Sequence, residues 1–264
     1  MPDSATIEQL LSKFTIGLLI LIRITGLFSS APLYRSMAII PQVKVFLAVI
    51  IAVSMTEIYW QDQPHIEFHL WYIAILALKE FFFGVLIGFA ANMVFNAVRM
   101  AGGLIDFEMG FQAASLFDPT NNNQTLIGEL KDLIALMLFL VLNGHHQLIE
   151  SLYVSMRAVP LTTFVMTEPA YMLLIKLATT VFILSVKIAA PVLVALFCAN
   201  LALALLARVA PQTNIFIVSF QVKVAVGLLM MMASVPILVY VIKWALTNMQ
   251  NETMEMIMAL YPGK

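Results

Sequence analysis

The chain is 264 residues long, 62% hydrophobic and only 11% charged, with a formal net charge of −1 and a mean hydropathy of +0.96. Soluble domains carry about 25% charged residues, and no soluble fold of this length has enough interior to hide so much apolar side chain. The composition therefore excludes a soluble protein and defines an integral membrane protein. The lone Cys198 excludes an intrachain disulfide and a CxxC site.

A membrane-crossing helix needs ~20 mostly apolar residues at ~1.5 Å rise each. Met1–Gln9 holds Asp3 and Glu8 and no Lys or Arg, so the first apolar run reads as a retained helix and not as a cleaved signal. That run is Leu10–Phe28, closed by Ser29-Ser30-Ala31-Pro32. The second is Met37–Tyr59, with Pro41 suited to a first helical turn. Gln61–His69 is a polar connector. The third run, Leu70–Val98, is long for one crossing and carries Gly84 and Gly88, a spacing that permits close helix contact.

Arg99–Gln124 is the most polar stretch, with Gly102, Gly103, Gly110, Asp118-Pro119 and Asn121–Asn123. These residue types predict turns. The same stretch carries Phe107, Met109, Phe111, Leu116 and Phe117, more large apolar groups than a plain surface loop requires. Leu126–Met156 is a fourth apolar block, interrupted at Asn143-Gly144-His145-His146, and Pro160–Pro169 is a second connector. Ala170–Val209 is about twice the length of a ~30 Å hydrocarbon core, so it is expected to break, kink or leave the bilayer, with Pro191 as the place. Ile215–Trp244 follows, with Gly227 and Pro236, and then a Met-rich tail over Thr247–Lys264 that reads as a short amphipathic helix.

Hydropathy thus predicts about six crossings. The expected fold is an all-α integral membrane protein of long, kinked hydrophobic helices in hairpins. It forms a single membrane domain over 1–264, with a segment over 99–124 between helical halves and a long C-terminal helical hairpin over 170–245. The basic connector residues are nearly balanced between the two sides, so the positive-inside rule does not decide orientation. Gln42-Val43-Lys44-Val45 recurs as Gln221-Val222-Lys223-Val224, a short echo of the internal repeats seen in transporters.

Almost every apolar run carries a charge: Arg23, Lys44, Lys79 with Glu80, Lys176, Lys187 and Lys223. A charge in hydrocarbon costs ~2.5–3.5 kcal/mol on insertion scales. Lys79, Lys187 and Lys223 are therefore expected to face protein or a wet lumen. Lys79-Glu80 and Lys131-Asp132 read as local or intersubunit ion pairs. His145-His146 and the pair His65, His69 lack the carboxylate or cysteine partners of a metal set, and no GxSxG, P-loop or GxGxxG is present. No enzyme, cofactor or metal site is expected. A bulky apolar group beside a mobile backbone, as at Gly110-Phe111 and at Phe117-Asp118-Pro119, suits a hydrophobic constriction that closes a conduit. It suits equally a re-entrant loop packed against neighbouring helices.

Three stretches resemble the flagellar biosynthetic export-gate family FliR. They are Met109–Pro119 (MGFQAASLFDP), then Leu138-Phe139-Leu140 with Asn143-Gly144-His145-His146 and Leu148-Ile149, then Arg208–Phe216 (RVAPQTNIF) continuing to Lys223 and Gly227-Leu228. Their order, the chain length and the hydrophobic blocks match along the whole chain. The chain departs at Ser219-Phe220-Gln221, where the family has Gly-Phe-Pro before the lysine, so no proline kink is expected there.

The resemblance implies a subunit of the flagellar type III protein export gate in the bacterial inner membrane, at the flagellum basal body. It implies assembly with FliP and FliQ, with FlhB and FlhA as further partners, into a helical pore that passes unfolded flagellar proteins and catalyses no covalent step. Segment 99–124 then corresponds to the plug, with Met109, Gly110, Phe111 and Phe117 as gate residues. Lys79, Glu80, Asp118, Pro119, Asn143, Lys187, Pro211, Gln212 and Lys223 are structural or intersubunit candidates. A subunit of a virulence type III secretion system is the alternative, and a small-solute secondary transporter a more distant one.

Overall fold

A computed structural model describes residues 4–32, 40–64, 69–111, 125–212 and 214–260. Among them the regular structure is entirely helical: α1 (Ser4–Ser30), α2 (Pro41–Tyr59) with a 3-10 turn at Trp60–Asp62, α3 (Leu70–Met109), α4 (Leu126–Val141), α5 (Gly144–Ala158), α6 (Glu168–Val209) and α7 (Ile215–Ala259). Among the described residues, five stretches are long and apolar enough to cross a membrane: Gln9–Ser30, Pro41–Asp62, Leu70–Met109, Glu168–Val209 and Ile217–Ala259.

The predicted turns in Arg99–Gln124 are corrected over their first part. α3 runs 40 residues without interruption and ends at Met109, so Gly102 and Gly103 are helical. Residues 112–124 lie outside the described ones. Of the outcomes expected for Ala170–Val209 (break, kink or exit from the bilayer), a break at Pro191 is excluded, because α6 is helical for 42 residues through that proline. The Met-rich tail is no separate helix either: α7 continues as one 45-residue helix to Ala259, with Pro236 inside it. The fourth apolar block is split. Asn143 adopts a left-handed conformation (φ 57°), and its carbonyl accepts from the amides of His146 and Gln147 at 3.0 and 3.3 Å. This ends α4 after 16 residues and starts α5, which has 15.

The chain forms two compact units. The first comprises Met1–Met93, Asn143–Leu177 and Thr247–Lys264. In it α1 and α3 touch backbone to backbone. A Cβ on Gly84 would stand 2.1 Å from the Arg23 carbonyl oxygen, one on Gly26 2.3 Å from that of Phe81, and one on Gly88 2.2 Å from Ser30 Oγ. The Gly84/Gly88 pair thus does what its spacing predicts: it removes side-chain bulk so that two apolar helices meet closely where lipid and protein are equally greasy and packing decides association.

The contact sets up a fully buried charge cluster. Arg23 Nε lies 2.6 Å from Glu80 Oε2, and both side chains have 0% exposure. Arg23 Nη1 also donates to the Ser155 and Val159 carbonyls at 3.3 and 3.1 Å, and the guanidinium centre sits 4.3 Å from the Phe83 ring centroid. Glu80 Oε1 accepts the Thr162 amide at 3.0 Å, where Thr162 is held at φ 76°. Burying a carboxylate and a guanidinium costs less when the pair is hydrogen-bonded further. Here Arg23 Nη1 and Glu80 Oε1 satisfy the open end of α5 and the turn after it, while Arg23 Nη2 is buried with no hydrogen-bond partner among the described residues.

The second unit comprises Val94–Leu142 and Ala178–Leu246. Its packing seam joins the last part of α3 to α4. A Cβ on Gly102 would stand 2.2 Å from the Gly128 Cα, so these glycines mark a helix crossing. One turn further, the Asp106 carboxylate accepts from the Ile127 amide at 3.1 Å and the Gly128 amide at 3.4 Å. The first amides of a helix have no intrahelical partner and carry a positive dipole end, so Asp106 caps α4 from a neighbouring helix. Arg99 and Asp132 form a half-exposed ion pair at 3.1 Å on the same seam.

Candidate functional site

The C-terminal end of α3 brings three of the four predicted gate residues together. Gly110 takes φ +86°, and its amide donates to the Phe107 carbonyl at 3.1 Å. Only glycine enters this left-handed region without steric cost, which is why it sits just past the last helical residue. The stop fixes what lies on either side. Met109, the last helical residue, has 0% exposure. Its Cε and Sδ would each stand 2.7 Å from a Cβ on Gly227 of α7, so the thioether fills the space that glycine leaves. Phe111 leaves α3 and meets Phe220 of α7 edge to face, with ring centroids 6.3 Å apart and planes at 87°. That geometry is the favoured one for an aromatic pair. Glu108 Oε1 accepts from Asn200 Nδ2 of α6 at 2.6 Å and ties the same end of α3 to a second helix.

The other predicted residues are dispersed. Phe117, Asp118 and Pro119 lie outside the described residues. Lys79 is exposed and Glu80 buried, as residues ~100° apart around a helix allow. Within the chain the partner of Glu80 is Arg23 and that of Asp132 is Arg99, so neither acidic residue pairs with its adjacent lysine. Lys131, read as the partner of Asp132, is buried instead. Lys187 is exposed and Lys223 half-buried. Asn143 is the left-handed residue that separates α4 from α5, and Pro211 and Gln212 form an exposed turn between α6 and α7. His145 and His146 stack with ring centroids 4.2 Å apart. Among the described residues no cluster of three or more His, Cys, Asp or Glu is placed to hold a metal.

Sequence reasoning missed Asp106, Asn200 and the seat on α7 formed by Phe220 and Gly227. For Gly227 a signal existed, since it falls in the third stretch that carries the family resemblance. Nothing local points to Asp106, whose partners are amides 21 and 22 positions away.

The helix lengths, the apolar outer faces and the buried charges held only by protein define an all-α integral membrane protein. Comparison with known proteins sharpens this. The sequence pattern of the bacterial export proteins, family 1, matches residues 14–249. The flagellar biosynthetic protein FliR of Escherichia coli K12 is 33% identical over 236 residues, covering 88% of this chain and 89% of that protein. FliR of Bacillus subtilis 168 is 32% identical over 262 residues, covering 96% and 98%. The Yop proteins translocation protein T of Yersinia pestis is 30% identical over 173 residues, covering 64% of this chain and 66% of that protein. The chain belongs to the bacterial export proteins, family 1, the family that holds the FliR proteins. It is a subunit of a flagellar or type III export apparatus, a structural component of secretion machinery and not an enzyme.

Proposed function

We propose that this chain is the subunit of the flagellar export gate that lines part of the pore for unfolded flagellar proteins, and that Met109, Gly110, Phe111 and Phe117 close that pore at rest. The observation that carries the proposal is the docking of a buried methionine and an aromatic ring, on either side of a left-handed glycine, onto one helix. Apolar groups at a constriction close a pore by excluding water and ions. The proposed setting is the bacterial inner membrane at the flagellum basal body, with FliP and FliQ as gate partners and FlhB and FlhA beside them. Coverage of the two FliR relatives, nearly complete on both sides, favours the flagellar system over the virulence one, where the relative aligns over a shorter part.

Deleting Gly110–Leu116, or replacing Phe111 and Phe117 together with Ala, is expected to make cells leaky to ions or small solutes while the complex still assembles. Conductance unchanged in a normally assembled complex sinks the closing role. A lone 29.3 kDa species that moves a small solute in liposomes would favour the transporter alternative instead.

A further inference from the structure

We propose that α7 supplies the seat of the closure, with Gly227 as a notch for the Met109 side chain and Phe220 as the rest for Phe111. The inference builds on the closing role of Met109–Phe111. Gly227 is then a positioning residue: it blocks nothing itself but decides whether the closing residues stay home.

The geometry is specific. The Met109 Cγ, Sδ and Cε would stand 2.9, 2.7 and 2.7 Å from a Cβ at residue 227. Any side chain there collides with the methionine and not with backbone. The far end of a methionine moves on three rotatable bonds, so α7 need not shift and Met109 gives way. Phe220 and Gly227 stand about two helical turns apart on one stripe of α7, with Lys223 between them on the same stripe. Phe220 stays 46% exposed beneath Phe111, and the nearest atom to a Cβ on Gly110 is Phe220 Cδ2 at 3.8 Å. The closing tripeptide therefore rests on α7 at two points. The Glu108–Asn200 bond at 2.6 Å holds the preceding residue to α6. Displacement at Gly227 frees the tip while the helix behind it stays anchored.

The seat is tested in cells carrying the complete export apparatus. Gly227→Ala is expected to fold, because alanine suits a helix interior better than glycine, and to raise ion leak severalfold by evicting Met109. In a Cys198→Ser background, Met109→Cys with Gly227→Cys brings two thiols within disulfide reach, since a cysteine Sγ takes the place of the Met109 Cγ. Oxidation is expected to crosslink the pair and stop export, and reductant to restore export. A crosslink that forms while export continues overturns the seat, and so does the absence of any crosslink in the assembled complex. If the deletion of Gly110–Leu116 leaks but Gly227→Ala stays tight, the seat fails and the closing role stands. If the deletion itself stays tight, both fail together.

Discussion

Arg23 and Glu80 meet at 2.6 Å with no exposed surface on either side chain, although they are on different helices. Removing one partner leaves an uncompensated buried charge, which costs ~3–5 kcal/mol. Glu80→Gln or Arg23→Met is therefore expected to lower the thermal midpoint of the solubilised protein sharply. The double variant Arg23→Met, Glu80→Met is expected to lose less than the two single losses added. Strict additivity would show that the pair is not a coupled unit. A charge swap is not expected to rescue, because Arg23 also donates to the Ser155 and Val159 carbonyls and Glu80 also accepts from Thr162.

Gly102 and Gly103 separate two explanations of one sequence feature. If both were turn glycines, alanine would harm both. In the helix, a Cβ at 102 would stand 2.2 Å from the Gly128 Cα, whereas at 103 the nearest atom is Thr125 Cγ2 at 3.5 Å, ordinary contact. Gly103→Ala is expected to be neutral or stabilising by up to ~1 kcal/mol. Gly102→Ala is expected to cost ~1–3 kcal/mol through overpacking against backbone. Equal effects in a thermal-shift comparison contradict the helical seam.

Asp106 caps α4 without being sequence-adjacent to it. Asp106→Ala is expected to cost about 1–2 kcal/mol, the range for loss of a helix cap. Asp106→Asn keeps an acceptor and is expected to cost less. Hydrogen exchange localises the effect: faster exchange at Ile127 and Gly128, with α5 unchanged, is the predicted pattern. Uniform acceleration across both helices argues for a different role.

Lys79 and Lys187 are exposed within the long apolar spans of α3 and α6. We expect neighbouring subunits or a wet lumen to cover them in the assembly, since lipid contact at mid-membrane costs ~2.5–3.5 kcal/mol. Single cysteines at these positions, in the Cys198→Ser background, are expected to react with a membrane-impermeant maleimide or to crosslink to a neighbour. Protection by acyl chains in the intact complex is the contrary result.

Class and helix content were legible because they depend on composition and on long apolar runs, which a bilayer reads directly. Gly84 and Gly88 were half legible, since glycines four apart permit close contact but are also common in membrane helices, and the partner that decides lies on α1. Gly102 and Gly103 were not, because glycine serves both a turn and a close crossing, and the neighbouring residue that decides, Gly128, belongs to another helix. Ion-pair partners were misread because adjacency in sequence suggests contact, whereas adjacent helical residues diverge by ~100°. The contacts of Met109 and Phe111 with Gly227 and Phe220 of α7 are tertiary and leave no trace in the segment that carries Met109 and Phe111.

The 16 residues of α4 span ~24 Å, less than a ~30 Å hydrocarbon core, yet Leu126, Leu130, Leu133, Met137 and Leu140 are exposed along it. Such a helix is too short to be anchored as a membrane crossing by lipid alone and too greasy to be left in water. This face is therefore expected to be covered only in the assembly, which makes the placement of α4 depend on neighbouring subunits.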